Sequence, residues 1–284
     1  SLDEKYKLLT DDKCKDDKKD FELSNIQNFV KNFISPNTPY NGILLYHSVG
    51  VGKTCSAISI SEQFRKIDKY NKIYVILSPS IEENFKKELF NVDKFYRQHG
   101  YLGCTGDTIL NEVVNAETFI KDAKQKGNNS NYKKTLKNKI NKFNKKHYVF
   151  MGYDKFASHI LDIENTYTKG LNEKQRDRRI KEIHKEKFSN SIMIIDEAHH
   201  LREKPNEDKG KKHAPPIIER VLKHSNNMKL LLLTATPMYD NPKELISLIN
   251  LLFVNDRKTK INTKDIFDEN DIITSKGEKI LASK

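Results

Sequence analysis

Five short apolar runs punctuate a polar chain. They are "GILLYH" at residues 42–47, "IYVILSP" at 73–79, "YVFMGY" at 148–153, "SIMIIDEA" at 191–198 and "KLLLLTAT" at 229–236. Each is rich in Ile, Leu and Val without polar alternation, the pattern of strands buried on both faces, as in a parallel sheet. Helical spacing lies between several of them. Ala57, Ile60, Phe64 and Ile67 follow the first run, and Leu245, Leu248, Ile249 and Leu252 follow the last, with Pro242 near the helix start. Strand and helix in alternation predict a doubly wound α/β domain, whose ligands bind at the carboxyl ends of the strands.

Three polar stretches interrupt the pattern and read as insertions, at about 121–147, 165–188 and 202–216. The first carries ten Lys against one Asp, most of the +12 net charge of the 284-residue chain. Such a surplus suits a polyanionic partner, DNA or RNA, and equally suits solvated helix and loop. With 36% apolar and 32% charged residues the chain is expected to be soluble. No apolar run approaches the roughly 20 residues of a membrane span, so no membrane partner is expected. Cys14, Cys55 and Cys104 form no CxxC. Neither a disulfide framework nor a zinc site is expected, and an intracellular location fits.

The carboxyl end of the first run holds "YHSVGVGKT". It has the form of a phosphate loop, G-x-x-x-x-G-K-[ST], with His47 in place of the first glycine. The inner Gly50 and Gly52 let backbone N–H groups turn toward phosphates, and a helix N-terminus adds its dipole. Lys53 is expected to reach the β- and γ-phosphates of ATP and Thr54 to ligate Mg²⁺, with Val51 and Cys55 completing the loop. The fourth run ends in Asp196 and Glu197. One carboxylate there can hold Mg²⁺ and the next can polarise the attacking water, so Lys53, Asp196 and Glu197 are the candidate catalytic residues.

The ordered set "GVGKT", "DEAH" and "LLLTATPMYDNPKEL" resembles the motifs of superfamily-2 helicases, which also vary the outer glycine. The resemblance extends over about residues 23–255 and implies a RecA-like P-loop domain: a central, mostly parallel sheet, helices on both faces, and basic insertions. Residues 1–22 are then an N-terminal extension and 256–284 a linker or the start of a second domain. In such ATPases His199 couples the acidic motif to Thr234, Ala235 and Thr236. "LSNIQNF" resembles the segment that places a glutamine, here Gln27, on the adenine. "LSPSIEENFKKEL" and "MGYDKF" resemble strand-end motifs that touch the nucleic-acid backbone, implicating Ser78, Pro79, Ser80, Gly152 and Tyr153. "LLYHSVGVGKT", "IDEAHHLRE" and "LTATPMYDNPKEL" look most like the ATPases of large nucleocytoplasmic DNA viruses, implying a viral factory, host cytoplasm or virion, and transcription or nuclease partners.

Such enzymes close a second RecA-like domain over ATP. No Q-x-x-G-R-x-x-R motif is visible here, so the chain is expected to be the first half of a longer protein, binding ATP weakly and hydrolysing it poorly alone. Two other readings stay open. One is a nucleic-acid-binding module with a vestigial nucleotide site. The other is a different P-loop enzyme, such as a nucleotide kinase or GTPase.

Overall fold

A computed structural model of the chain describes residues 22–46, 50, 52–70, 72–98, 102–126, 130–201, 214–238 and 241–283. His47, Val51, residues 1–21 and most of the 202–216 stretch lie outside the described residues.

All five apolar runs are strands: β1 (Gly42–Tyr46), β2 (Ile73–Ile76), β3 (Tyr148–Met151), β4 (Ile192–Asp196) and β5 (Lys229–Thr234). They form one sheet in the order β1-β5-β4-β2-β3. The pairings β1–β5, β4–β5 and β2–β4 are parallel. The central strands carry no polar alternation because both faces are covered: every residue of β5 is buried, as is Ile192–Ile195 of β4. Even Lys229 is buried, its ammonium donating to the Tyr40 carbonyl and to Asn41 Oδ1, both at 2.9 Å.

The helices, in chain order, are α1 (Asn25–Phe33), α2 (Lys53–Arg65), α3 (Pro79–Leu89), α4 (Val92–Arg97), α5 (Thr108–Val113), α6 (Ala116–Lys126), α7 (Ser130–His147), α8 (Tyr153–Thr168), α9 (Glu173–Phe188), α10 (Ala214–His224), α11 (Lys243–Asn255), α12 (Thr263–Ile266) and α13 (Ser275–Ala282). None is long and apolar enough to cross a membrane among the described residues.

The chain divides into two compact units. The first comprises the described parts of Ser1–Thr38, Thr54–Lys66 and Ser80–Tyr148. Ala57, Ile60 and Phe64 on α2 are fully buried in it, as their spacing requires. Glu62 on the same helix accepts from Arg65 Nε at 2.8 Å and from the Tyr148 hydroxyl at 2.5 Å, and Arg65 Nη1 reaches Glu112 at 2.8 Å. Cys55, in the first turn of α2, is disulfide-bonded to Cys104, which corrects the expectation of no disulfide. The pair is 49 residues apart in sequence, and only the folded path of the first unit brings the two Cα atoms to 5.5 Å, a spacing a disulfide can bridge.

The second unit comprises Pro39–Lys53, Ile67–Pro79 and Val149–Lys284. Its core gathers Ile195, Leu230 and Leu232 from the sheet with Phe156 and Ile160 of α8, Ile218 and Leu222 of α10, and Leu248 and Leu251 of α11. The polar 165–188 stretch proves to be the end of α8 and the whole of α9, with Ile180, Ile183 and Phe188 buried. Behind them Glu164, 2% exposed, accepts from His184 Nε2 at 2.8 Å and from Arg220 Nη2 at 2.6 Å. His224 Nδ1 lies 3.2 Å from His184 Nδ1. Residues beyond α11 carry α12 and α13, and Ile261, Ile266 and Phe267 bury against Ile246 of α11.

Candidate nucleotide site at the carboxyl edge of the sheet

The strand order brings three motif-bearing ends level. Tyr46, the last residue of β1, pairs in register with Thr234, the last of β5. Asp196, the last of β4, pairs with Leu233. The strand carrying the Thr-Ala-Thr segment therefore lies between the strand entering the phosphate loop and the strand carrying the acidic pair.

Gly50 and Gly52 have φ of 85° and 82°, left-handed values that a side chain would strain. Lys53 opens α2, a helix of 13 residues, so the loop ends where amide N–H groups have no partner within the helix. Thr54 and Cys55 follow in that first turn. The Cys55 sulfur is committed to the bond with Cys104.

Asp196 is partly buried, and burial pushes its carboxyl above the ordinary value. The charge of Glu197 pushes the same way, while the Glu197 backbone N–H and the Lys53 ammonium oppose it. Two adjacent carboxylates, one poorly solvated and within electrostatic reach of Lys53, form a donor set suited to a divalent cation beside phosphate. Glu197 itself sits at φ 53°, unusual outside glycine, and its N–H donates to Asp196 Oδ1 at 3.0 Å. The Tyr153 hydroxyl secures this kink by donating to the Asp196 carbonyl and lying 3.1 Å from the Glu197 carbonyl. Burial, followed by the charges of Asp196 and Glu197, pushes the Tyr153 hydroxyl far up, so it stays protonated and able to donate.

His199 Nδ1 is a junction. It lies 3.3 Å from Glu197 Oε2, 3.1 Å from Thr234 Oγ1 and 3.5 Å from Thr236 Oγ1. Thr234 is fully buried, and its Oγ1 also accepts the Thr236 N–H at 3.1 Å. The acidic pair and the Thr-Ala-Thr segment thus meet on one imidazole nitrogen. Ala235 spans the two threonines.

The candidate nucleic-acid residues fall at the ends of two neighbouring strands. Leu77 N–H donates to the Met151 carbonyl at 3.1 Å, which sets Ser78 and Pro79 beside Gly152. Ser80 follows Pro79 into α3. Tyr153 belongs to this group by sequence, yet its side chain serves the acidic kink. That role escaped sequence reasoning because its partners are 43 and 44 residues away. Gln27, 7% exposed, accepts the Ser24 N–H at 2.9 Å and closes a capping box on α1.

Comparison with known proteins decides the family. The family model described as "Type III restriction enzyme, res subunit" matches residues 19–239, most of the chain. The chain belongs to this family.

It therefore carries a superfamily-2 ATPase/helicase domain, as the order of its motifs resembles. A candidate ATP-dependent RNA helicase of Acanthamoeba polyphaga mimivirus is 30% identical over 265 residues, covering 88% of this chain and 20% of the relative. A candidate helicase of invertebrate iridescent virus 3 is 29% identical over 252 residues, or 84% of the chain and 21% of the relative. An early transcription factor large subunit homolog of African swine fever virus is 29% identical over 159 residues, 51% of the chain and 13% of the relative. The chain spans about a fifth of the length of the first and second of these proteins.

Proposed function

We propose that this res-subunit-family chain binds ATP and Mg²⁺ at the carboxyl edge of its sheet and serves a nucleic-acid-dependent ATPase that moves along its track. The observation that carries the reading is the level alignment of the β1, β5 and β4 ends, with the Lys53 charge felt at Asp196. Lys53 and the loop amides hold the β- and γ-phosphates. Thr54 and Asp196 would hold Mg²⁺. When bound, the ion supplies Lewis-acid neutralisation of phosphate charge. Glu197 orients and polarises the attacking water. His199 transmits the state of Glu197 to Thr234 and Thr236. Gln27 takes the adenine, and Ser78, Pro79, Ser80 and Gly152 face the nucleic-acid backbone.

"LSPSIEENFKKEL" resembles the motif after the second strand of Swi/Snf-type translocases, which favours duplex DNA as the track, although the mimivirus relative is named for RNA. None of the motif residues named above is a transition-state arginine, and such a finger is worth about 10³ to 10⁵ in turnover. The chain alone is therefore expected to bind ATP and turn it over slowly.

The test is binding of a fluorescent ATP analogue with Mg²⁺, and ATP turnover with and without duplex DNA, beside Lys53→Ala. Analogue binding lost in the variant is expected. Equal binding by both proteins would sink the reading and favour a nucleic-acid-binding module with a vestigial site.

A further inference from the structure

Two long, polar, basic helices handle their charge in opposite ways. α9 offsets part of its charge within itself, with four acidic residues against seven basic ones: Arg178 reaches Glu182 at 3.3 Å, and Arg179 reaches Glu182 at 3.1 Å and Glu186 at 3.3 Å. α7 does not. Its 18 residues include seven lysines and no Asp or Glu, in a chain that has 39 acidic residues among 284. It is nonetheless firmly built into the first unit, with Leu136, Ile140 and Phe143 buried along one side. Lys133 is tied to Asp93 at 2.8 Å. The outer side exposes Lys134, Lys137, Lys139, Lys142 and Lys145.

Lysines at i,i+3 spacing, such as Lys134 with Lys137 and Lys142 with Lys145, repel one another and cost helix stability. The helix dipole favours cations only in the last turn, which accounts for Lys145 and leaves Lys134, Lys137, Lys139 and Lys142 unexplained. Solubility requires charge but not a single sign.

We infer that the exposed face of α7 is a docking surface for the phosphate backbone of nucleic acid, read without regard to base sequence. The helix is about 27 Å long at ~1.5 Å per residue. That matches roughly eight successive phosphates of one duplex strand at about 3.4 Å each. Between the lysines stand Asn131, Thr135, Asn138 and Asn141, all exposed. These are short polar side chains that hydrogen-bond phosphate oxygens; the exposed aromatic of the helix, Tyr132, is engaged edge-on with Phe119 rather than standing as an apolar anchor. The choice of nucleic acid over another polyanion rests on the proposed function.

The test compares the chain with two variants of equal charge. One is Lys134→Gln with Lys137→Gln, Lys142→Gln and Lys145→Gln. The other, on and beside α9, is Lys169→Gln with Lys174→Gln, Lys181→Gln and Lys185→Gln. All eight positions are exposed, and Gln has a similar helix propensity, so unchanged thermal melts check the fold. Anisotropy of a labelled duplex over a salt series is the readout, with polyglutamate as competitor. The α7 variant is expected to bind at least tenfold more weakly, with the slope of log K against log salt reduced by about 3 to 4. The α9 variant should change less than twofold. Equal weakening in both variants would mean net charge alone and overturn the inference. So would loss of polyglutamate binding with duplex binding intact. Duplex binding that depends on α7 in a chain that fails to bind the ATP analogue would support this surface while removing the function proposed above.

Discussion

Glu197 occupies a backbone conformation that few side-chain-bearing residues adopt, and Tyr153 is the group that keeps it there. Tyr153→Phe deletes only the hydroxyl, leaving the ring against His200 in place. Under the proposed function, the Glu197 carboxylate then loses its fixed aim at the attacking water. In a protein competent for turnover the expected outcome is a kcat about tenfold to a hundredfold lower, with ATP-analogue affinity unchanged. Loss of both together would mean a general structural role. The glycine-lysine loop and the acidic pair were legible as residue types at strand ends, because each is a short local segment that needs no distant partner to be read. The hydrogen bond from Tyr153 was not, since its acceptors are main-chain carbonyls, which any residue supplies.

Among the elements, α8, α9 and α10 meet over charges rather than apolar contacts alone. Burial tends to raise the Glu164 carboxyl, but His184 and Arg220 outweigh it and hold the group below its ordinary value. His224 is lowered from 6.5 to about 4 by burial and by the charges of His184, Lys181, Lys223 and Arg220. A base whose pKa falls on folding is protonated first in the unfolded chain, so acid favours unfolding. Stability is therefore expected to decline as pH falls from 6.5 toward 4, where His224 titrates in the fold. The depressed Glu164 adds a further loss at lower pH. His224→Gln should flatten the upper part of a melting-temperature profile, and an unchanged profile would contradict this.

A second prediction at this scale concerns α2. The Cys55–Cys104 bond closes a separation of 49 residues and is worth about 2–4 kcal/mol by loop closure. A thiol reductant should lower the melting temperature of the chain and leave Cys104→Ser unaffected. The apolar spacing marked α2 and α11 as helices but not their buried faces: α2 is buried on nearly every side from Cys55 to Glu62, and α11 buries Ile246, Leu248, Leu251 and Val254, of which the spacing named only Leu248. The 165–188 stretch hid its buried face because Ile180, Ile183 and Phe188 are only three positions among many charges.

At the scale of the molecule, the two units differ in how openly the sequence states them. The sheet of the second unit was legible because its strands are short, unbroken apolar runs. The first unit is a set of helices drawn from three separated segments, and no local pattern assigns residues 54–66 and 80–148 to a common core. Strand order was likewise unreadable, since five similar runs permit many orders. That order has a mechanical meaning. β5 pairs with β1 from Leu230 to Thr234 on one side and with β4 from Lys229 to Leu233 on the other. A displacement of β5 cannot be absorbed by one neighbour alone; it loads the β1 end and the β4 end together, the two sides to which the proposed function assigns phosphate and the attacking water. The strand works as the beam of a balance, so a pull on Thr236 registers as one signal at both pans.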